Sequence, residues 1–226
     1  MIESLGAQIY KVHEIFSSIE GEGKRVGQFV TFIRLHGCNL SCSYCDTRYS
    51  CDGEEYTEMT LEEILEVVKE EGLKRISLTG GEPLIHPHVM DLLEALVFRG
   101  HEINVETNGS VDLEPFKLNP ELYSVFLTMD YKGPSSGMEQ EMKLKNFKLL
   151  DRLDCIKFVV GPPEDLIAMK SVLATNRTSA EVFVSPIFGQ IQPVEIVEYL
   201  VQNKLTKCRV QIQLHKIIYP PDMRGV

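Results

Sequence analysis

Tryptophan is absent from this 226-residue chain, and so is any run of eighteen consecutive apolar residues. A helix that crosses a membrane needs about twenty such residues, so the sequence predicts no membrane-spanning segment and no membrane partner. Basic residues are scarce as well, since 23 lysines and arginines stand against 33 acidic residues and the formal net charge is −10. A broad nucleic-acid footprint requires a basic face, so no nucleic-acid partner is expected.

An export signal is also missing. The N-terminal stretch MIESLGAQIYKVHEIF carries acidic residues and has no apolar h-region, which argues against a signal peptide. We therefore expect a cytoplasmic protein, in which clustered cysteines bind metal or serve catalysis more often than they form disulfides. With 43% hydrophobic residues the chain can bury a substantial core, and we expect one domain over residues 1–226.

Runs with the period of a helix alternate with β-rich runs along the chain. The clearest helix is predicted in TLEEILEVVKEEG, where Thr60 and Glu63 form a capping box and Gly72 ends the helix. Further helices are predicted in HPHVMDLLEALVFRG, GMEQEMKLKNFKLLDRL, PEDLIAMKSVLAT and PVEIVEYLVQN. Strands are predicted in FVTFIRLHG, RISLTGG, EINVETNG, LYSVFLTMDYK, CIKFVVG, EVFVSPIFG and RVQIQLHKI. Strands joined through single helices run parallel, so the fold class is α/β, either a partial, open barrel or a doubly wound sheet.

Polar and glycine-rich segments follow most of these strands. They include the cysteine loop and the segments TGGEP, ETNG, MDYKGPSSG, SPIFG and QLHK. In both candidate folds, ligands bind at the carboxyl ends of the parallel strands. The sequence therefore predicts one functional site at that edge of the sheet.

Four of the six cysteines fall within GCNLSCSYCDTRYSC, residues 37–51, and Cys38, Cys42 and Cys45 have the spacing CxxxCxxC. Structural zinc usually takes four ligands in two distant pairs, and no second CxxC or HxxxH motif follows. A [4Fe–4S] cluster held by three cysteines leaves one iron without a protein ligand and open to chemistry. The spacing favours the cluster over zinc, although Cys51 could complete a four-cysteine set.

The cysteine loop resembles the CxxxCxΦC signature of the radical S-adenosylmethionine (SAM) enzymes, with Tyr44 at the aromatic position. The segment GGEP, Gly80 to Pro83, resembles the segment that cradles the methionine amino group of SAM in that family. Here Gly81 would let the backbone approach the ligand and Glu82 would accept a hydrogen bond from an ammonium. The resemblance implies a partial, open (β/α)6-type barrel of parallel strands, a cluster on the three cysteines, and cleavage of SAM to a 5′-deoxyadenosyl radical.

A longer stretch, EIFSSIEGEGKRVGQFVTFIRLHGCNLSCSYCDT, is similar to the 7-carboxy-7-deazaguanine synthases of queuosine precursor synthesis, whose pattern runs FxSIQGEGxxxGxPxxFIRxxGCNLxCxWCDT. KGPSSG and the closing QLHK are similar to that family too. Three positions depart from the pattern: Glu20 replaces Gln, Phe29 replaces Pro and Tyr44 replaces Trp. Tyr44 keeps an aromatic ring and Phe29 opens a strand, where a restored backbone donor changes little. Glu20 replaces an amide donor, which puts the hydrogen-bond role of its side chain in doubt and leaves its backbone role intact.

This resemblance implies conversion of 6-carboxy-5,6,7,8-tetrahydropterin to 7-carboxy-7-deazaguanine with loss of ammonia, a carbon–nitrogen lyase reaction. It also implies Mg²⁺ as a cofactor, an electron donor such as flavodoxin, and a homodimer. Thr47 matches the family's Mg²⁺ ligand, and Mg²⁺ needs few protein ligands when water and substrate oxygens complete its octahedron. Asp46 belongs either to that metal site or to a local turn with Thr47, and the sequence leaves both open.

The resemblance also implies two sets of binding residues, with no catalytic side chain beyond the cofactor ligands. The SAM positions are Tyr44, Cys45, Asp46, Gly80, Gly81, Glu82, Asp130, Tyr131, Lys132, Ser185, Pro186, Ile187 and Phe188. The substrate positions are Ile19, Glu20, Gly21, Arg34, Thr79 and, through a terminal carboxylate, Val226. Arg34 ends a predicted strand beside the cysteine loop, and its planar fork suits the carboxylate of the pterin.

Two other functions remain compatible with the sequence. A radical SAM activase, which forms a glycyl radical on a partner protein, would share the cysteine loop but would not explain the GEG loop or Thr47. A non-catalytic zinc or Fe–S binding module would also use the cysteines. We expect Cys51, Cys155 and Cys208 not to ligate the cluster. A lone histidine at a strand end, such as His215, is more often a structural residue, and the sequence leaves its role open.

Overall fold

The computed structural model describes residues 8–226, so the first seven residues of the stretch tested for a signal peptide lie outside it. Its strands are β1 (Ile9–Ile19), β2 (Phe29–Leu35), β3 (Thr57–Thr60), β4 (Arg75–Gly80), β5 (Glu102–Thr107), β6 (Phe126–Tyr131), β7 (Cys155–Val160), β8 (Glu181–Pro186) and β9 (Cys208–Val210). Its helices are α1 (Leu61–Glu71), α2 (Val89–Phe98), α3 (Glu114–Lys117), α4 (Asn146–Leu149), α5 (Pro163–Thr175), α6 (Pro193–Gln202) and α7 (His215–Ile218).

All strands join one sheet in the order β3-β1-β2-β4-β5-β6-β7-β8-β9. From β2 to β9 each neighbouring pair is parallel. The predicted open α/β fold of parallel strands is therefore confirmed. The sequence analysis missed β1, which lies antiparallel to both β2 and β3, and the short edge strand β3.

The central strands alternate between two buried faces. On β6, Leu127 and Met129 join the hydrophobic core, whereas Thr128 and Asp130 line a cavity on the opposite face. The same alternation gives this second face the polar residues Ser77, Thr79, Asn104, Glu106, Lys157 and Ser185. Buried polar groups require partners, so this polar face is the first structural sign of a ligand site.

The longer helices α1, α2, α5 and α6 form in predicted segments, and their buried residues join the core on the apolar face. Helix α1 starts with the capping box, in which Thr60 Oγ1 accepts from Glu63 N at 3.2 Å and Glu63 Oε2 accepts from Thr60 N at 2.7 Å. Gly72 ends the helix in the left-handed conformation. Within residues 8–226, no helix is both long and apolar enough to span a bilayer.

Two predicted elements are wrong. The helix expected in GMEQEMKLKNFKLLDRL is reduced to a 3-10 turn, Glu139–Glu141, and the single turn α4. Asn146 anchors this segment by donating from Nδ2 to the carbonyls of Val111 (2.8 Å) and Gly109 (3.3 Å), so tertiary contacts replace helical hydrogen bonds. The strand expected in RVQIQLHKI ends at Val210, and α7 follows after a loop.

Candidate active site

An open cavity of about 240 Å³ lies on the polar face of the sheet, toward the carboxyl ends of the parallel strands. It is bordered by the cysteine loop after β2, the GGEP segment after β4 and the Gly-rich loop after β1. The segments therefore converge on one cavity, as the sequence predicts. Of the predicted positions, the cavity wall includes Ile19, Glu20, Gly21, Arg34, Cys38, Cys42, Tyr44, Cys45, Asp46, Thr47, Thr79, Gly80, Gly81, Asp130, Lys132, Ile187, Phe188 and Val226.

The cysteine loop presents three reduced thiols to this cavity. Cys38, Cys42 and Cys45 are all free and all line the wall. Backbone bonds hold the loop, since Gly37 N donates to Ser50 O at 2.8 Å and Cys45 N donates to Cys42 O at 3.3 Å. Three thiols therefore face one space from a constrained loop.

Cys51 also borders the cavity, although the sequence analysis gave it no role. A hydrogen bond from Cys51 lowers the pKa of Cys38 to about 6, against the opposing effect of burial. Because a thiol has a single S–H, the bond that lowers the pKa of Cys45 to about 6 is the alternative arrangement of the same Cys51 proton. Thiolates are the form that binds iron, so Cys51 can favour the iron-binding form at one of these two sulfurs at a time.

The GGEP segment packs directly against the cysteine loop. A Cβ on Gly81 would lie 2.2 Å from Gly37 O and 2.7 Å from Cys38 Cβ, and one on Gly80 would lie 2.2 Å from Leu35 O. Only glycine permits this approach. The bonds from Gly81 N to Leu35 O and from Glu82 N to Gly37 O, at 3.2 and 2.9 Å, fix the two segments together.

Glu82 does not face the cavity, contrary to the expectation that it accepts from an ammonium. Its side chain is fully buried and accepts from Leu84 N (3.0 Å), Thr107 Oγ1 (2.9 Å) and Asn108 N (2.6 Å). Burial raises the pKa of Glu82 to about 7 despite these bonds. Its carboxyl group ties the loop after β4 to the end of β5.

Three more predicted cofactor residues stay away from the cavity wall. Tyr131 is in the core, where its ring packs against Phe147 and Phe158. Ser185 is fully buried and its hydroxyl accepts from Gln211 Nε2 at 3.0 Å. Pro186, at the end of β8, is buried as well. Neighbouring residues of a strand point to opposite faces of the sheet. Because Asp130 faces the cavity, Tyr131 faces the core.

Buried polar atoms without partners concentrate at this site. Six buried side-chain nitrogen or oxygen atoms in residues 8–226 lack a hydrogen-bond partner, and four belong to cavity residues. These four are Glu20 Oε2, Glu22 Oε1, Tyr44 Oη and Asp130 Oδ1. Because such atoms are costly unless something binds them, they indicate a polar ligand. Together with three inward thiols they fit a cluster and a polar cofactor bound side by side.

Two lysines and two carboxylates form a charged network deep in the cavity. Lys157 Nζ lies 2.9 Å from Glu22 Oε2 and 3.7 Å from Asp130 Oδ2. Lys132 Nζ donates to the same Asp130 oxygen at 2.9 Å. Burial raises the pKa of Glu22, but the charge and hydrogen bond of Lys157, together with Ser185 and His215, outweigh it and hold the pKa below its ordinary value. The network therefore keeps two ammonium groups charged inside the protein.

The Arg34 side chain is fixed by neighbouring residues that leave part of its guanidinium group free. Its Nε donates to Glu14 Oε1 at 2.7 Å, and its guanidinium lies over the rings of Phe16 and Tyr49. A guanidinium has five N–H donors, so this single bond leaves the outer nitrogens available. The geometry supports an anion site at the end of β2.

The hydroxyl of Thr47 is uncommitted apart from a 3.8 Å contact with Cys45 Sγ, and it makes no capping bond to the following 3-10 turn. Asp46 does not form a turn with Thr47 through its side chain, since its Oδ2 instead accepts from Lys216 Nζ at 2.7 Å. Of the two roles left open for Asp46, the structure therefore gives no support to the local turn.

Glu20 contributes its side chain to the cavity, not its backbone. Its N–H donates to Gln28 O and its C=O accepts from Gly27 N, both at 2.8 Å, which closes the Gly-rich loop. Its carboxyl group is 3% exposed. Gly21 has a different contact, because the His215 ring packs against it so closely that a Cβ would lie 2.0 Å from Nδ1.

Several cavity residues were missed by the sequence analysis. They are Glu22, Phe32, Leu40, Glu106, Thr107, Asn108, Thr128, Lys157, Val159, Gln213, His215 and Lys216, with Cys51. The sequence does contain a sign that Lys157 is functional, because it is the one charged residue in the apolar strand CIKFVV. Asn108 donates from Nδ2 to Asn39 at 3.1 Å and approaches Cys38 Sγ at 3.8 Å, so the end of β5 supports the cysteine loop.

Comparison with known proteins identifies the family of this chain. The family model of the radical SAM superfamily matches residues 32–159. A 7-carboxy-7-deazaguanine synthase from Clostridium acetobutylicum is 47% identical over 221 residues, covering 96% of this chain and 99% of the relative. A 7-carboxy-7-deazaguanine synthase from Methanospirillum hungatei is 40% identical over 93% of this chain and 86% of the relative.

Among solved structures, the crystal structure of QueE from Escherichia coli superposes with a TM-score of 0.77. The alignment covers 95% of this chain and 98% of that one at 23% sequence identity. At this identity the likeness concerns the fold, and it supports the open, largely parallel α/β architecture described above.

Proposed function

The chain belongs to the 7-carboxy-7-deazaguanine synthases of the radical SAM superfamily, and from this membership we propose how its own residues carry out the conversion of 6-carboxy-5,6,7,8-tetrahydropterin to 7-carboxy-7-deazaguanine with loss of ammonia. The observation that supports the proposal best is the convergence of three reduced cysteines, unpartnered buried polar atoms and an anion-binding arginine on one cavity. One sheet runs through the described residues, and we assign the whole activity to a single domain, residues 1–226.

Cys38, Cys42 and Cys45 would hold a [4Fe–4S] cluster and leave its fourth iron for SAM. When bound, these cofactors supply a 5′-deoxyadenosyl radical. The protein's part is to favour the thiolate form at Cys38 and Cys45, against the raised pKa that burial gives Cys42, and to hold the cysteine loop against the GGEP segment. The lowered pKa of Cys38 and Cys45 and the glycine contact against Cys38 both support that part.

We assign SAM to the side of the cavity formed by Tyr44, the backbone of Gly81, and the Asp130–Lys132 ion pair. Lys132 Nζ lies 6.0 Å from the Tyr44 ring centroid. Although burial opposes it, the Asp130 carboxylate keeps the pKa of Lys132 above its ordinary value. A permanently charged lysine beside two unpartnered oxygens, Tyr44 Oη and Asp130 Oδ1, suits a zwitterionic cofactor. Cys45, Asp46, Ile187 and Phe188 border the same space.

We assign the pterin to the side formed by Arg34, Thr79 and the Gly-rich loop from Ile19 to Gly21. The outer donors of Arg34 would bind the substrate carboxylate, because Glu14 already fixes the inner donor. Val226 borders this region as well. Such a site orients the substrate by one charged end and several ring-edge hydrogen bonds.

We further propose Mg²⁺ at Thr47. The free hydroxyl supports this role, and one neutral ligand suffices when water and substrate supply the other oxygens. Thr47→Ala should retain SAM cleavage and lose most of its rate response to Mg²⁺. Thr57→Ala, on the exposed edge strand β3, is the matched control. An unchanged Mg²⁺ response in Thr47→Ala would remove Thr47 from the site.

A homodimer, a cytoplasmic location and a flavodoxin-type electron donor complete the proposal, and these three points rest on family membership alone. The overall test is an anaerobic incubation of the reconstituted, reduced protein with SAM, Mg²⁺ and carboxytetrahydropterin. We expect 5′-deoxyadenosine and 7-carboxy-7-deazaguanine to form together. Deoxyadenosine without the deazaguanine would contradict the assigned substrate and favour an activase that acts on a partner protein.

A further inference from the structure

Glu20 has an unusual position for a carboxyl group. It is 3% exposed, its Oε2 atom has no hydrogen-bond partner, and it borders the substrate side of the cavity. Since Gln28 and Gly27 occupy its backbone groups, only the side chain remains available to a ligand. A buried ionised carboxylate requires a cation or several donors.

The cations of the cavity are already engaged by other carboxylates. Lys132 pairs with Asp130 (2.9 Å), Lys157 with Glu22 (2.9 Å), Lys216 with Asp46 (2.7 Å) and Arg34 with Glu14 (2.7 Å). Within residues 8–226, Glu20 and Glu106 form no salt bridge, although both line the cavity.

Four groups from separate elements face Glu20. Glu106 on β5 contributes a like charge, whereas Lys157 on β7, Arg25 after β1 and the Ser77 hydroxyl on β4 favour the ionised form. Arg25 is directed elsewhere, since its Nη1 donates to Glu102 O at 3.0 Å. Glu106 has a partner of its own, because Thr79 Oγ1 donates to its Oε2 at 3.2 Å. One oxygen of Glu106 therefore already has a donor, whereas Glu20 Oε2 has none.

We propose that Glu20 is a neutral carboxylic acid that acts with ionised Glu106 as one hydrogen-bonding pair toward the ring of the substrate. The pair offers one O–H donor and several acceptors, which suits a heterocycle that alternates N–H and C=O groups along its edge. Burial, reinforced by the charge of Glu106, raises the pKa of Glu20 to about 8, so the acid form prevails at neutral pH. A neutral acid resembles a primary amide in offering both a donor and an acceptor. The identity of the ring as a pterin rests on the proposed function.

The inference predicts how substrate binding depends on pH. Above about pH 8 Glu20 ionises, the donor disappears and two carboxylates face the ring. If only the acid form binds, KM for carboxytetrahydropterin should rise about tenfold one pH unit above that value. A glutamine at this position cannot ionise, so Glu20→Gln should lose this rise in KM.

The kinetic experiment measures KM and kcat for carboxytetrahydropterin with reconstituted enzyme from about pH 6.5 to about 9.5. The variants are Glu20→Gln, Glu106→Gln and the exposed control Glu62→Gln on α1. We expect the alkaline rise in KM in the wild type and Glu62→Gln, and its absence in Glu20→Gln. In Glu106→Gln the rise should move to lower pH, because that variant removes the like charge that raises the pKa of Glu20. An unshifted rise, or a shift to higher pH, in Glu106→Gln contradicts the pair. The same KM profile in wild type and Glu20→Gln overturns the inference.

A spectroscopic measurement tests the acid directly, without turnover. The infrared difference spectrum between wild type and Glu20→Gln should contain the C=O stretch of a protonated carboxyl at neutral pH, lost with a midpoint near pH 8. Absence of that band at neutral pH overturns the inference even if the enzyme is active. Presence of the band in a protein that makes no deazaguanine would instead contradict the proposed function and leave a neutral Glu20 in place. If Glu20→Gln fails to fold, the midpoint in Glu106→Gln decides, because an unshifted band cannot belong to this pair.

Discussion

Lys157 stabilises two buried carboxylates at once, which makes its replacement a direct test of the charged network. Its Nζ lies 2.9 Å from Glu22 and 3.7 Å from Asp130, and none of the three side chains is more than 16% exposed. Lys157→Met keeps most of the apolar stem and removes the charge. The variant leaves Glu22 buried without a cation, while Lys132 still serves Asp130.

Breaking a buried pair by removing one partner costs about 3 to 5 kcal/mol. For a protein of this size, 1 kcal/mol corresponds to about 2 to 4 °C in Tm, so we expect a decrease of about 6 to 20 °C. Replacing both partners, as in Glu22→Gln with Lys157→Met, should recover most of that decrease because no uncompensated charge remains.

The decrease should also depend on pH. In the wild type, Lys157, with smaller contributions from Ser185 and His215, outweighs burial and lowers the pKa of Glu22. Ionised Glu22 therefore adds stability above its unfolded pKa, and this stability is lost as pH falls through the lower folded value. Lys157→Met removes both contributions of Lys157, so burial, opposed only by Ser185 and His215, should raise the pKa of Glu22. Protonation of Glu22 then removes the uncompensated charge of the variant as the pH falls. The difference in Tm between variant and wild type should consequently be larger near pH 7.5 than near pH 5.5.

Thermal unfolding followed by circular dichroism provides the measurement, on anaerobic reconstituted protein at one scan rate because cluster loss is irreversible. Lys148→Met, at an exposed position on α4, is the control and should leave Tm within about 2 °C. A Lys157→Met protein as stable as this control at neutral pH would refute the role assigned to the network. An equal decrease at both pH values would refute the pKa argument.

Two further predictions concern separate parts of the chain. Thr60→Ala removes the capping box of α1 and should lower the free energy of unfolding by about 1 kcal/mol. Thr57→Ala on β3 should leave the free energy of unfolding unchanged. Equal Tm values for the two variants would contradict the capping role of Thr60. Cys51→Ser should retain the visible absorption of the reconstituted cluster, while Cys42→Ser should lose it. Loss of absorption in Cys51→Ser would show that the cluster depends on the fourth thiol of the loop.

Local patterns were sufficient for the parallel part of the fold. Helices α1 and α6 begin with capping boxes, α1, α2 and α6 are apolar along one face, and strands β4 to β8 are short runs between helical segments. Strand β3 has four residues with no buried side chain, so its assignment depends on pairing with β1. The false helix at residues 137–153 has helical periodicity, but Asn146 finds better partners in the loop after β5. Both errors come from long-range pairing, which a local pattern does not contain.

The residues of the site also divide into those that local sequence patterns predict and those that depend on the three-dimensional fold. The cysteines and glycines were predicted because their chemistry and spacing are local, and their convergence followed from parallel strands ending at one edge. Glu106 and Lys157 were missed because their role depends on which face of the strand they occupy. Parity supplies that information once strand boundaries are known: Glu106 shares a face with Asn104, and Lys157 with Val159.

The register of the sheet also makes the two ends of the proposed site chemically different. In the register of the sheet, Arg34 on β2 lies opposite Thr79 on β4. The Thr79 hydroxyl donates to the carboxyl group of Glu106 on β5. A cation, a hydroxyl and a carboxylate therefore follow one another across three strands. Neighbouring strands lie about 4.8 Å apart, which separates the backbone of Arg34 from that of Glu106 by about 10 Å. A ligand with a carboxylate at one end and a donor-bearing ring at the other matches this polarity in one orientation only. With the ring reversed, its carboxylate would face Glu106, and a neutral Glu20 would reduce that repulsion without replacing the cation that Arg34 provides.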